Sequence, residues 1–124
     1  MTVKSEIESL YRTYSAKMNG RASEFPYGTR PDHSGGLHLE IADDGKMALV
    51  GTDRGIETVR HETGSVDELL YWVFRDFAYS RAFHNASKDY DFEKSQQAAL
   101  DEIAKISPEW RAKLAAEQDQ QRRA

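Results

Sequence analysis

The stretch Thr52–Phe77, TDRGIETVRHETGSVDELLYWVFRDF, decides the fold class. A turn built on Asp53-Arg54-Gly55 feeds a strand-like run, Ile56 to Glu62, and that run gives way to an aromatic-rich helix. The apolar spacing changes from two residues to between three and four, which marks the passage from β to α. Ser65 stands three residues before Glu68, the spacing of a capping box, and so specifies the helix start. The same stretch holds no nucleophile beside a base, no paired metal-ligand spacing and no glycine-rich phosphate cradle. It reads as a binding protein's core.

Working outward, Leu37, Leu39 and Ile41 alternate with His38, Glu40 and Ala42, the period of a half-buried strand. Asp44-Gly45 supplies a tight hairpin turn. Lys46–Val50 returns as a second strand with Met47 and Leu49 facing the core, and Gly51–Gly55 makes the next turn. The helix over Val66–Asn85 carries Leu69, Leu70, Trp72, Val73, Phe74 and Phe77 on more than one face, which places it centrally. Arg75, Asp76 and Arg81 are left for its wet side. Upstream, Ile7, Leu10, Tyr11, Tyr14 and Met18 make one apolar stripe on a helix over Val3–Met18, closed by Asn19-Gly20.

Arg21–Gly36 reads as a long loop with Phe25 and Tyr27 as its apolar residues. A polar linker, Ser87–Asp91, precedes a helix over Phe92–Ile106 with Phe92, Ala99, Leu100, Ile103 and Ile106 on its apolar face. Ser107-Pro108 then opens a short last helix carrying Trp110 and Leu114 inward. The expected fold is α+β: an N-terminal helix, a three-stranded antiparallel meander, then three helices packed on the sheet. A single domain over residues 1–116 is expected, with 117–124 a frayed polar tail.

The chain has 124 residues, 39% hydrophobic and 31% charged, which suits one folded core. With no cysteine, disulfides and Cys-based zinc sites are excluded. The amino terminus, MTVKSEIESLYRTY, lacks an apolar signal core, and no apolar run approaches membrane length, so the expectation is a cytoplasmic protein with no membrane partner. Seventeen basic against twenty-one acidic residues give a net charge of −4. Residues 37–64 hold Lys46, Arg54 and Arg60 against Glu40, Asp43, Asp44, Asp53, Glu57 and Glu62. That excess disfavours nucleic acid; it either suits a basic protein surface or is a solvated acidic face with no specific partner.

Four histidines are present, His33, His38, His61 and His84. His38 and His61 could share a sheet face with Glu40, a set able to hold zinc or iron, but strand histidines on a wet face account for them more simply, and no metal or cofactor is expected. Asp43-Asp44 is explained by turn preference, because aspartate bonds its own backbone there. Arg54 either pairs with a carboxylate of a partner or bridges its turn to Asp67, Glu68 or Asp76 on the helix, and the structural bridge is favoured.

The order of motifs resembles the immunity protein 63 family of bacterial polymorphic toxin systems. The residues that carry it are Gly36-Leu37-His38-Leu39-Glu40-Ile41, the Asp-Gly turn, Asp53-Arg54-Gly55-Ile56-Glu57, Asp67-Glu68-Leu69-Leu70-Tyr71-Trp72-Val73-Phe74, and Trp110. The resemblance runs from Pro26 to Trp110. It implies a non-enzymatic protein that binds a cognate toxin, a nuclease or another enzyme acting in the cytoplasm, and blocks its active site. Its contact residues would be Glu40, Asp43, Asp44, Asp53, Arg54 and Glu57, with Phe25 and Tyr27 as apolar anchors. The rival readings are an adaptor that homodimerises through its aromatic helix, and a small enzyme that reverses a toxin's modification.

Overall fold

In the computed structural model the chain is α+β, with an N-terminal helix, one three-stranded antiparallel sheet and three further helices. The structure describes residues 2–18, 27–31, 34–85 and 92–123. The expected Asn19-Gly20 cap, most of the long loop and the Ser87–Asp91 linker lie outside the described residues. The elements are α1 (Val3–Lys17), β1 (Ser34–Ile41), β2 (Met47–Asp53), β3 (Ile56–Thr63), α2 (Val66–Asn85), α3 (Phe92–Ala104) and α4 (Pro108–Arg123). They fall into two compact units. The first holds α1, the sheet and the start of α2 as far as Leu70; the second holds α2 from Tyr71, with α3 and α4.

In the first unit, the Thr2 hydroxyl caps α1 by accepting from the Ser5 N–H at 3.1 Å. Ile7 and Tyr11 are its buried apolar residues. Ile7 and Leu39 line one hollow with Tyr27 and Gly28, which places α1 along the face of the sheet that carries Leu39. The order is β1-β2-β3, so β2 is central, and its burial runs unbroken from Met47 to Thr52. Pairing Leu39↔Leu49↔His61 and Ile41↔Met47↔Thr63 puts those residues on one face. His38↔Val50↔Arg60 and Glu40↔Ala48↔Glu62 make the other.

The β1–β2 loop has Gly45 at φ 89°. Its Asp44 Oδ1 accepts from the Lys46 N–H at 3.0 Å, the self-bonding turn read from Asp-Gly. The β2–β3 connection is shorter than expected, because Gly51, Thr52 and Asp53 belong to β2. Gly51 is there for close approach. A Cβ on it would meet Val59 Cγ1 at 2.8 Å, Thr58 Oγ1 at 2.9 Å and Leu37 Cδ2 at 3.3 Å. The register shift between Gly51 and Thr52 sits at the same point. Val and Thr are stiff at χ1 and yield poorly. Gly51→Ala is therefore expected to cost about 1–3 kcal/mol, the usual range for overpacking, as read by urea unfolding. A stability equal to or above the parent would show that the crowding relaxes without cost.

Ser65 caps α2, its Oγ accepting from the Glu68 N–H at 3.2 Å. The return half of the capping box is replaced, because the Ser65 N–H donates to Thr63 Oγ1 at 3.0 Å. In the second unit, Tyr71 is fully buried while Phe77 is 42% exposed. The inward place expected for Phe77 is thereby corrected: its ring lies under the Arg81 guanidinium, 5.6 Å from the ring centre. Trp110 packs edge-on to Tyr71 at 5.8 Å and beside Phe74 at 6.1 Å. Ser107 caps α4 by accepting from the Trp110 N–H at 3.2 Å. On α3, Gln96 is buried and Phe92 is exposed.

The expected fraying from Glu117 onward is not observed, since α4 stays helical to Arg123. The physical reason is a set of polar ties invisible to an apolar pattern. Gln118 is buried and donates to the Gln96 carbonyl and to Tyr79 Oη, both at 3.2 Å. Arg122 pairs with Glu93 of α3 at 2.7 Å.

Candidate functional site

Arg60 organises the charged face of the sheet. Its Nε donates to Glu57 Oε1 at 2.9 Å, and its Nη2 reaches both Glu40 oxygens at 3.1 and 3.2 Å. Its Nη1 lies 3.5 Å from Glu62 Oε1. Glu57 first and Glu40 second hold the guanidinium even more firmly protonated than usual. Strand register lays Glu40, Ala48 and Glu62 abreast with Arg60 two residues from Glu62 on the same face, and the register shift opposite Gly51 and Thr52 brings Glu57, three residues away, to that face as well. Three carboxylates against the Arg60 guanidinium, with the Lys46 ammonium at the adjoining hollow, leave this face with an excess of negative charge. The pairs are half-exposed, so their contribution is geometric: they hold the carboxylates in fixed positions.

Beside this network a hollow of about 220 Å³ is lined by Glu40, Ala42, Lys46, Ala48, Arg60 and Glu62, among others. His38 is buried, with Nε2 3.6 Å from Glu40 Oε2 and Nδ1 unpartnered among the described residues.

The expected acidic set does not form one cluster. Glu40 and Glu57 are joined through Arg60. Asp43 and Asp44 are exposed in the β1–β2 turn, next to Ala42 and the hollow. Asp53 ends β2 and Arg54 follows it in the opposite turn, beyond six residues of β2, about 20 Å along the strand. Arg54 is exposed at φ 53°, followed by Gly55 at φ 80°. Two successive positive φ values make a two-residue primed hairpin turn, in which arginine occupies a position that asparagine or glycine would fill with less strain. Its side chain makes no ion pair among the described residues, so the bridge expected toward the helix is not formed.

Tyr27 is half-buried at a hollow of about 270 Å³ with Lys4, Glu8 and Arg12. Phe25 lies outside the described residues. His38 and His61 stand on opposite faces, since Val50 and Leu49, their partners on β2, are consecutive. The shared face considered for them is thereby corrected. Among the described residues no three of His, Asp and Glu come together to hold a metal ion. No helix there is long and apolar enough to cross a membrane.

Arg60 and Glu62 were not among the residues picked out from sequence as binding candidates, though Glu57-x-x-Arg60-x-Glu62 contains the signal. Positions 60 and 62 must share a face, and only the pairing through β2 adds Glu40.

No curated protein and no solved structure matches the chain. The sequence profile of Immunity protein 63 matches residues 43–120, from the β1–β2 turn through most of α4. That match covers well over half of the chain and includes the strand pair that carries Arg60, so the chain belongs to the immunity protein 63 family.

Proposed function

We propose that this chain binds a cognate bacterial toxin and neutralises it, docking its acidic sheet face on a basic surface at the toxin's active site. Family membership supports the toxin as partner. The single geometric observation behind the contact face is the Arg60 network, which holds Glu40, Glu57 and Glu62 in fixed positions on a three-stranded sheet. Fixed carboxylates meet a basic partner at less entropic cost than mobile ones. Asp43 and Asp44 extend the same negative region from the adjoining turn. Asp53 and Arg54 would act at the other end of the sheet, and Tyr27 beside the hollow against α1. The reading is of a binder working in the cytoplasm on a toxin that acts there.

The test is co-production of the chain with the toxin encoded beside its gene. Rescue of growth together with a co-purifying pair is the expected result. Rescue without any complex would replace binding by enzymatic reversal or protection of the target, and no rescue would remove the immunity role.

A further inference from the structure

The two edges of the sheet are treated differently. The Ala42 N–H donates to the Lys46 carbonyl at 2.8 Å, which identifies the hydrogen-bonded pair at the β1–β2 turn. Alternation then makes Glu40–Ala48 and His38–Val50 the bonded pairs of that ladder. The backbone of Leu39 must point away from β2, and its N–H donates to the Gly28 carbonyl at 2.8 Å. The outer edge of β1 is thus met by Gly28 at Leu39.

Carrying the alternation across β2, Met47, Leu49 and Gly51 turn their backbone groups toward Thr63, His61 and Val59. Arg60 and Glu62 therefore turn theirs outward. Among the described residues no backbone hydrogen bond reaches that edge. β3 has eight residues, most of them exposed, and contains no proline to interrupt an added strand; its charged side chains and the register shift opposite Gly51 confine the pairing stretch to the outward groups of Arg60 and Glu62. Ile56 at its start is 69% exposed.

We infer that the outer edge of β3 receives an extended segment of the toxin as a fourth strand, with lysine or arginine at alternate positions. The inference rests on the toxin-binding reading above and specifies its mode. Main-chain bonds to Arg60 and Glu62 supply the pairing, and side chains two residues apart supply the selection. Residues of the added strand opposite Arg60 and Glu62 fall on the face where Glu40, Glu57 and Glu62 outnumber Arg60 and Lys46. A cationic segment complements that face. A second copy of this chain would set the same negative face against itself, so charge argues against β3 pairing with β3.

The test separates backbone from charge. Glu62→Pro removes an outward N–H and leaves the ladder to β2 intact, because proline is tolerated on sheet edges. Glu62→Ala removes the carboxylate and keeps the N–H. With the purified toxin domain, Glu62→Pro is expected to weaken binding by about 100-fold or more and Glu62→Ala by less than about tenfold. Amide exchange on the unmodified complex gives an independent reading that survives a misfolded proline variant. The Arg60 and Glu62 amides, without a backbone acceptor among the described residues, should slow on toxin binding, whereas His61 is already paired to Leu49. Equal losses in the two variants, or no slowing at Arg60 and Glu62, would overturn strand addition while leaving toxin binding in place. A β3-mediated dimer that Glu62→Pro dissolves without changing toxin affinity would also overturn it. Absence of any complex with the unmodified chain would remove the toxin-binding reading and the strand addition together.

Discussion

Trp110→Ala is expected to destabilise the chain by about 3–5 kcal/mol, the range for emptying a buried aromatic site. Trp110 is only 4% exposed, and its ring meets Tyr71 at 5.8 Å with a 67° interplanar angle and Phe74 at 6.1 Å with a 30° angle. Aromatic contacts of this kind add to the area term rather than replace it. The deletion also strips one side of Tyr71, whose other neighbours include the Lys113 ammonium, 4.5 Å from the ring centre, and the Arg75 guanidinium at 5.7 Å. Neither cation can follow the ring into a cavity without losing water. Because a whole domain is worth only about 5–15 kcal/mol, the loss takes a large share. Urea unfolding at 25 °C, followed by circular dichroism, measures it. Phe92→Ala is the comparison, because Phe92 is 53% exposed and should cost well under half as much. A Trp110 variant no worse than the Phe92 variant would show that the α2–α4 packing is not what holds the second unit.

Trp110 was legible from sequence because Ser107-Pro108 announces a helix start and places the indole on its first inward position. The same holds wherever the signal is local: Asp44-Gly45 is a turn because aspartate bonds its own backbone, and Ser65 is a cap because the next three N–H groups need an acceptor. Gly51 was misread for an instructive reason. Local sequence cannot tell a glycine that frees φ from one that makes room for Val59 and Leu37, residues on two other strands.

The exposure of Phe77 escapes the sequence because helical spacing alone leaves α2 apolar on more than one face. The end of α4 escaped because Gln118 and Arg122 tie it with polar bonds, which an apolar periodicity does not register. At the candidate site the charge excess of residues 37–64 was plain from composition, but its division between the two ends of the sheet was not. Register sends His38 and His61 to opposite faces and sets Glu40 and Glu62 beside Arg60, and the shift at Gly51 and Thr52 adds Glu57.

That gathering sets the second large effect. The double variant Glu57→Gln, Glu62→Gln is expected to slow toxin association by about 10–100-fold at low salt, with a smaller change in dissociation. Only Glu40 would then face Arg60, and both β3 carboxylate charges of the network would be gone. Glutamine keeps the acceptors and the shape, so the strand and its hydrogen bonds to Arg60 survive. The size of the effect follows from steering. A fixed pair of negative charges raises the encounter rate of a basic surface over about one screening length, roughly 10 Å at 0.1 M salt, and the advantage fades as salt rises. Stopped-flow association between 20 mM and 500 mM salt, order-of-magnitude limits chosen to span that screening range, should show a steep slope for the parent and a shallow one for the variant. The control, Asp101→Asn with Asp119→Asn, removes the same total charge from α3 and α4. If net charge alone were responsible, both doubles would slow association equally, and the β3 carboxylates would lose their claim on the toxin. A loss confined to Glu57 and Glu62 would instead locate the encounter on the face that Arg60 organises.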